Sequence, residues 1–365
     1  MRRRAIKTKH KVVARVEAEL LRRLRTGGGL SRVELARALH LAPSTAGIYV
    51  DRLVRDGFVA ESHKSAPANG RPPTVLVPNP DGGRFVGVDF EARSILAQSV
   101  DFSQRAVKQC RLAIREGDSV ERILSRIAEA VRGALDGDRR PLLGIGVGVP
   151  GAIDSTRGVA LGYEFIRGWK DVPLAQRLGD EFRVPVHLEN NIRSMAMAEL
   201  WFGQGRGLRN LVCLGVRTGI GAGVVADGRL LCGEHGGAGQ IGKWPVRGGT
   251  LESVASLGAI LAAARLDFAE LCAAAGEVKV RRVLRRAAEF HGAALHQLHL
   301  LFDPQRIILV GPLAELGAAF LDPLTAAMQR RCEDTAPEIV NSTLGQFSGA
   351  LGAAALALHA WKPIR

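Results

Sequence analysis

The 365-residue chain is poor in cysteine, nearly devoid of tyrosine and free of long apolar runs. Its five cysteines, Cys110, Cys213, Cys232, Cys272 and Cys332, stand far apart with no Cys-x-x-Cys pair. That spacing excludes a zinc site evident from sequence and fits free thiols in a reducing cytoplasm. No uncharged apolar stretch reaches about 18 residues, which excludes an evident transmembrane helix. The basic opening Met1–Lys11 leads into an amphipathic stretch rather than an apolar signal core, so a cytoplasmic protein with no membrane partner is expected. The apolar fraction of 47% and charged fraction of 24% exclude disorder as the dominant state. Against 2 Tyr there are 43 Gly, so many tight turns and close backbone approaches are expected. The length implies two or three folding units.

The net charge of +14 is unevenly placed. Residues 1–80 hold 16 Lys/Arg against 6 Asp/Glu, and the remaining 285 residues hold 34 against 30. A basic terminal segment on a nearly neutral body is the electrostatic footprint of a nucleic-acid or anionic-surface partner.

Residues 12–25 show helical spacing, with Val13, Val16, Leu20, Leu21 and Leu24 on one stripe, and Gly27, Gly28 and Gly29 stop it. Ser31 and Glu34 form a capping-box pattern for a second short helix over 33–39. Ser44 is placed to cap a third helix running to about Asp56, where Gly57 ends it. Two short helices joined by a tight turn make a helix-turn-helix. The third helix would bury Ala46, Val50, Leu53 and Val54 and turn Ser44, Thr45, Gly47, Ile48, Asp51 and Arg52 outward. Hydroxyls and Arg52 suit base edges in a major groove, Ile48 suits a thymine methyl, and Gly47 permits close approach. Residues 58–60 and 74–77 read as two strands, with a basic wing at 64–73 carrying Arg71. One such head covers a short half-site, so a pseudo-palindromic duplex operator and a homodimer, or a tetramer of paired dimers, are expected.

After a turn-rich linker at 79–83, strands alternate with helices, the pattern of an α/β fold. The order strand, turn, strand at 84–101 returns at 210–231, suggesting two similar lobes with a cleft between them. The expected division is therefore a winged helix-turn-helix at 1–78, the linker at 79–83, and a two-lobed effector-binding and dimerisation body at 84–365.

Five segments in a fixed order carry a family resemblance. They are Gly70–Asn79, Gly144–Gly151, Leu188–Asn191, Thr218–Gly223 and Gly236–Gly242. Together they resemble the ROK family of repressors and sugar kinases, which implies a winged helix-turn-helix followed by a two-lobed actin-like ATPase (ribonuclease H-like) fold. The resemblance further implies a small-molecule carbohydrate effector held by Gly151, Asn190, Asn191, Gln240, Lys243 and Glu252.

The departures from the kinase pattern bear on function. The family's Asp-x-Gly-Gly-Thr phosphate loop reads Asp89-Phe-Glu-Ala-Arg-Ser94 here, and its Gly-Thr-Gly loop begins with Arg217. Its later Gly-Gly is Gly311-Pro312. The position of its catalytic Asp holds Asn191, an amide that cannot act as a general base. Lys243 stands where zinc-bearing members have a ligating His, and their cysteine cluster is absent. No metal, no cofactor and no catalytic residue are therefore expected. The implied protein is a sugar-controlled DNA-binding regulator, most simply a repressor of carbohydrate-related genes. The alternatives are an ATP-dependent sugar kinase carrying a DNA-binding domain, or an architectural DNA-binding protein blind to metabolites. The loss of acidity at 191 and 240 together with Lys243 suggests an acidic or phosphorylated sugar, unless Lys243 pairs with Glu252.

Overall fold

The computed structural model describes residues 2–63, 74–332 and 336–363, with only the backbone given for 2–12 and 63. The wing at 64–73, and Arg71 with it, lies outside the described residues.

Helix α1 (Arg2–Gly27) runs through the basic opening as well as the amphipathic stretch. Gly28 and Gly29 end it with φ of +67° and +96°. Helix α2 (Arg32–Ala38) has the capping box expected of Ser31 and Glu34. Helix α3 (Pro43–Arg55) differs from expectation at its start: Ala42 is the cap residue and makes no side-chain bond. Pro43, with φ preset and no N–H to satisfy, takes the first helical position and leaves Ser44 inside the first turn. Strands β1 (Val59–His63) and β2 (Thr74–Pro78) pair antiparallel as the base of the wing.

The body contains the same sheet twice. In the first lobe β3 (Arg84–Phe90), β4 (Ser94–Asp101) and β5 (Ala106–Ala113) form an antiparallel meander. Helix α4 (Val120–Leu135) then leads to β6 (Leu142–Val149), parallel to β3. A small sheet of β7 (Ala152–Asp154), β8 (Val159–Gly162) and β9 (Lys170–Val172) follows, then α5 (Leu174–Phe182). Strand β10 (Val186–Asn190), parallel to β6, completes the sheet and runs into α6 (Asn191–Phe202).

In the second lobe β11 (Leu211–Val216), β12 (Ile220–Ala226) and β13 (Arg229–Leu230) repeat the meander. A hairpin of β14 (Pro245–Val246) and β15 (Gly249–Thr250) precedes α7 (Leu251–Ala255), α8 (Leu257–Ala264), α9 (Phe268–Ala273) and α10 (Val278–Phe302). Strand β16 (Arg306–Val310), α11 (Ala318–Gln329) and β17 (Glu338–Asn341) close the sheet. The strand orders, β10-β6-β3-β4-β5 and β13-β12-β11-β16-β17, are the same topology. The glycine-rich segment expected as a turn at 218–223 turns only at 217–219 and is strand from Ile220. Its glycines serve packing: a Cβ on Gly223 would lie 2.5 Å from the Ala196 methyl on α6.

The last helix, α12 (Ser348–Ala360), returns to the first lobe and packs on β3, β6 and α6. Contact is backbone to backbone. A Cβ on Gly87 or on Gly146 would fall 1.8 Å from the carbonyl oxygen of Ala350 or Ala353. The first lobe's core then continues into the DNA-binding head. Leu20, Leu24, Val50 and Val59 of the head belong to one apolar cluster with Phe85, Phe102 and Leu358 of the body. Phe58 stacks on Phe102 at 5.2 Å and meets Trp361 edge-on at 4.8 Å. The 79–83 segment is correspondingly tight, with Asn79 donating from Nδ2 to the Gly57 carbonyl at 2.8 Å.

Candidate functional site

The outer face of α3 carries the expected DNA-facing residues, with one exception. Ile48 is 60% exposed, Ser44 is exposed and Thr45 is half-buried. A Cβ on Gly47 would meet nothing within 4 Å, so packing inside the protein does not demand a glycine there. Arg52 does not stand free on this face. Its Nη1 lies 3.3 Å from Oε1 of the fully buried Glu17 on α1, and its guanidinium rests near the Tyr49 ring. A buried carboxylate needs a countercharge, and Arg52 supplies one, tying α3 to α1. Arg32 of α2 takes up the outer position instead, pairing with Asp51 at 2.7 Å and Glu61 at 3.2 Å.

A second site lies between the lobes. A cavity of about 290 Å³ brings together all six residues expected to hold an effector. The first lobe contributes Gly151, Asn190 and Asn191, and the second Gln240, Lys243 and Glu252. Gly151 turns the chain after β6 with φ +75°, and a Cβ there would meet the Gly162 carbonyl at 2.2 Å. Asn190 serves as the cap of α6, its Oδ1 accepting from the Ile192 amide at 3.0 Å, while Nδ2 donates to the Gly151 carbonyl at 3.2 Å. Glu252 does not pair with Lys243. Its Oε2 accepts from the Ile220 amide at 2.8 Å, and Lys243 is exposed with no ion pair among the described residues.

The loop carrying Gln240 is held by a residue the sequence reading passed over. Arg193, 2% exposed on α6, donates from Nη1 to the carbonyls of Gly236 at 2.7 Å and Ala238 at 3.1 Å. Glu189 fixes it in turn, accepting from Nε at 2.7 Å. The spacing of Glu189 and Arg193, a strand's end followed by the first turn of a helix, was the available signal.

Glu91, Tyr163, Glu164 and Phe165 also line the cavity and were not expected there. Phe165 is 46% exposed and lies 5.3 Å from the Tyr163 ring. The Tyr163 hydroxyl is buried, and burial pushes its pKa up.

Behind this cavity, the two turns that match the family's phosphate loops are joined by an ion-pair cluster. Arg217 Nη1 lies 2.8 Å from Asp89 Oδ2, and its Nε lies 3.1 Å from Glu91 Oε1. Burial pushes the Asp89 carboxyl up to about 6 despite the attraction of Arg217. Burial also works against the Arg217 charge, but Asp89 and Glu91 outweigh it and raise its pKa. The segment matching the zinc element is the β14–β15 hairpin with Lys243 and Trp244, and it carries no thiolate. These residues do not fit a structural zinc ion.

Two five-stranded sheets of one topology around a cleft, preceded by a winged helix-turn-helix, define an actin-like protein with a DNA-binding head. The chain belongs to the ROK family, whose sequence profile matches residues 85–360, and a winged helix-turn-helix DNA-binding profile matches residues 17–60. It is 25% identical to the xylose repressor of Caldicellulosiruptor bescii over 336 residues, 83% of this chain and 84% of that one. It is 28% identical to the glucokinase of Halalkalibacterium halodurans, across 73% of this chain and 93% of the enzyme. Among solved structures, a ROK family transcriptional regulator homologous to the Escherichia coli Mlc protein superposes with a TM-score of 0.81. That match has 22% identity and covers 95% of this chain and 96% of the other.

Proposed function

We propose that the protein is a DNA-binding transcriptional repressor of carbohydrate-related genes, released or engaged by a sugar bound between its lobes. It acts as a homodimer on a pseudo-palindromic operator and performs no phosphoryl transfer. The observation that carries this reading is the Arg217–Asp89–Glu91 cluster, which fills the position of the phosphate loops with a charge pair satisfied inside the protein. The Arg217 side chain is 8% exposed and its Nε and Nη1 are engaged by Glu91 and Asp89, which leaves it poorly placed to receive a triphosphate. Asn191 adds to this, since it cannot take a proton from a sugar hydroxyl. The similarity to the xylose repressor covers 83% of this chain, more than the body alone would account for, which supports the same reading.

The cavity supports a neutral sugar rather than the acidic one suggested by sequence. Glu91, Glu164 and Glu252 all line it, against Lys243, so added negative charge would be repelled. Phe165 offers an exposed aromatic face to the apolar side of a pyranose, and the amides of Asn191 and Gln240 offer donors and acceptors to its hydroxyls. For the dimer, Leu300 and Leu301 stand 70% and 67% exposed at the end of α10 and supply an apolar patch on the second lobe.

The experiment is a selection of genomic duplex fragments by the purified protein, repeated with neutral sugars, their acids and their phosphates, beside an ATP-turnover assay. Preferential retention of a fragment, altered by a neutral sugar and with no turnover, is the expected result. Sugar-dependent ATP turnover would falsify the reading.

A further inference from the structure

Asp89 and Arg217 hold equivalent places in the two lobes. Asp89 lies near the end of β3, and Arg217 directly follows β11; each strand is the first of its sheet. The turns after them face each other across the cleft, and the side chains that meet there belong to different lobes. The contact is largely shielded from bulk solvent: Arg217, Asp89 and Glu91 are 8%, 0% and 16% exposed. The Arg217 stem passes Gly311, where a Cβ would come within 3.1 Å of its Cγ. The Arg217 stem is thus seated against packed backbone, while Glu91 faces a cavity on either side.

The head has no comparable freedom. Arg25 of α1 donates to the Leu358 carbonyl, and Phe58 is enclosed by Phe102 and Trp361. All three partners belong to the first lobe or to α12, which is locked to that lobe's sheet at Gly87 and Gly146. The head therefore rides on the first lobe, and any change of angle between the lobes is also a change of angle between the head and the second lobe.

We propose that Arg217 is an interlobe latch: held by Asp89 and Glu91, it sets how far the lobes close and thereby the angle at which the head is presented. Glu91 is the residue that makes the latch responsive. It lines the effector cavity, it lines a second cavity of about 460 Å³ behind it, and it binds Arg217 from between the two. A sugar hydroxyl that hydrogen-bonds Glu91 competes with Arg217 for the same carboxylate. Sugar binding and latch strength are then linked, and the link is reciprocal. The latch itself is independent of what the protein regulates; only its effect on DNA rests on the repressor reading.

The test uses the full-length chain as wild type, Arg217→Met, Arg217→Lys and Asp89→Asn. Hydrogen exchange is read by mass spectrometry over residues 89–94 and 217–221, with α4 as an internal reference. Arg217→Met is expected to raise exchange in both turns about tenfold or more with α4 unchanged, because removing one partner leaves a buried carboxylate unpaired. Arg217→Lys, which keeps the charge but not the two-sided fork, is expected to fall between. If Arg217→Met does not fold, Asp89→Asn, of nearly the same volume, takes its place in the comparison. Unchanged protection of both turns in the folded variant overturns the latch.

The second arm measures binding of the same proteins to a duplex fragment retained by the wild type. A shift of roughly 5- to 150-fold in either direction is expected, the range of a typical coupling. Exposed turns with unaltered DNA affinity overturn the transmission to the head. Absence of any retained fragment in the wild type counts against the repressor reading alone, since the exchange arm still reads the latch. In the third arm, D-xylose and D-glucose are titrated into wild type and Glu91→Gln. Loss of sugar-dependent changes in exchange at 217–221 in Glu91→Gln supports its role, and an unaltered response overturns it.

Discussion

Arg25 donates from Nη1 to the carbonyl of Leu358 at 3.2 Å, joining the end of the first helix to the last turn of the final one, 333 positions later. Its guanidinium also lies 4.5 Å from the centre of the Phe102 ring. Burial lowers its pKa to about 9, and Nε and Nη2 have no hydrogen-bond partner among the described residues. Two substitutions separate packing from charge. Arg25→Ala removes the stem from Phe102 and is expected to destabilise the protein by about 2–3 kcal/mol. Arg25→Met keeps the stem and removes the unpaired buried donors, so it is expected to remain within about 1 kcal/mol of wild type. Chemical denaturation with matched m-values decides between them.

Arg52 and Ile48 are expected to behave differently on DNA although they lie one helical turn apart. Arg52 is committed to Glu17, so Arg52→Ala takes a countercharge from a buried carboxylate and is expected to weaken binding to all sequences together with stability. Ile48→Ala removes an exposed side chain at little cost to folding and is expected to relax preference at one position by about 1–3 kcal/mol. The measurement is affinity for a panel of single-base operator variants. A uniform loss for Ile48→Ala would remove it from the set that reads bases.

Restoring an acid at the family's catalytic position is not expected to restore a kinase. Asn191→Asp returns a base whose loss typically costs about 10²–10⁴ in rate, but the Arg217 cluster still fills the phosphate turns. ATP turnover with D-glucose in Asn191→Asp is expected to stay at background. Measurable turnover would show that nucleotide enters despite the ion pairs.

Histidine burial gives the stability an acid limit. His291, 0% exposed, places Nε2 2.9 Å from the Ala255 carbonyl and lies against Phe320. Burial pushes its pKa down to about 4, only partly offset by that carbonyl. The unfolded chain takes up this proton near pH 6.5 while the folded protein does not. His291 thus contributes fully above about pH 6.5, and roughly 3 kcal/mol of stability is lost as the pH falls to 4. Asp89, raised to about 6, works oppositely: its contribution is present below its unfolded pKa and fades as the pH rises through 6. Comparing wild type with His291→Gln across this range cancels Asp89, and a shallower pH slope in the variant is the expected result.

The apolar patch on α10 gives the proposed dimer a direct test. Leu301→Glu is expected to shift the protein toward monomer in sedimentation and to reduce operator affinity without altering sugar binding. An unchanged mass in solution would count against a dimer formed through this patch.

Much of this architecture was legible in the sequence because local signals and burial agreed. The Ser31–Glu34 capping box was found where expected. The doubled strand order was visible because each lobe opens on the same apolar strand and returns after a short turn. Strand β5 was not seen, since it is an edge strand whose Lys108, Gln109 and Arg111 face outward or half outward. The six cavity residues came from the family resemblance, and the structure brings them together. Glu164 and Phe165 had no sequence signal, because a loop after a four-residue strand carries no periodicity. The pairing of Arg52 with Glu17 was hidden for a related reason. Helical spacing places a residue on a face, but it cannot show a buried carboxylate on another helix.

The position of α12 has a consequence for the protein's synthesis. The head is complete in sequence once β2 has left the ribosome, yet the surface it is clamped to includes α12, which follows the whole two-lobed body in sequence. At about 5–20 residues per second, roughly 14–56 s separate the end of β2 from Leu358. During that interval a head with basic helices can fold and meet DNA without being held at any angle. Nascent or prematurely terminated chains are therefore expected to bind duplexes weakly and without response to sugar. Control by metabolite is acquired only when the final helix closes over the first lobe.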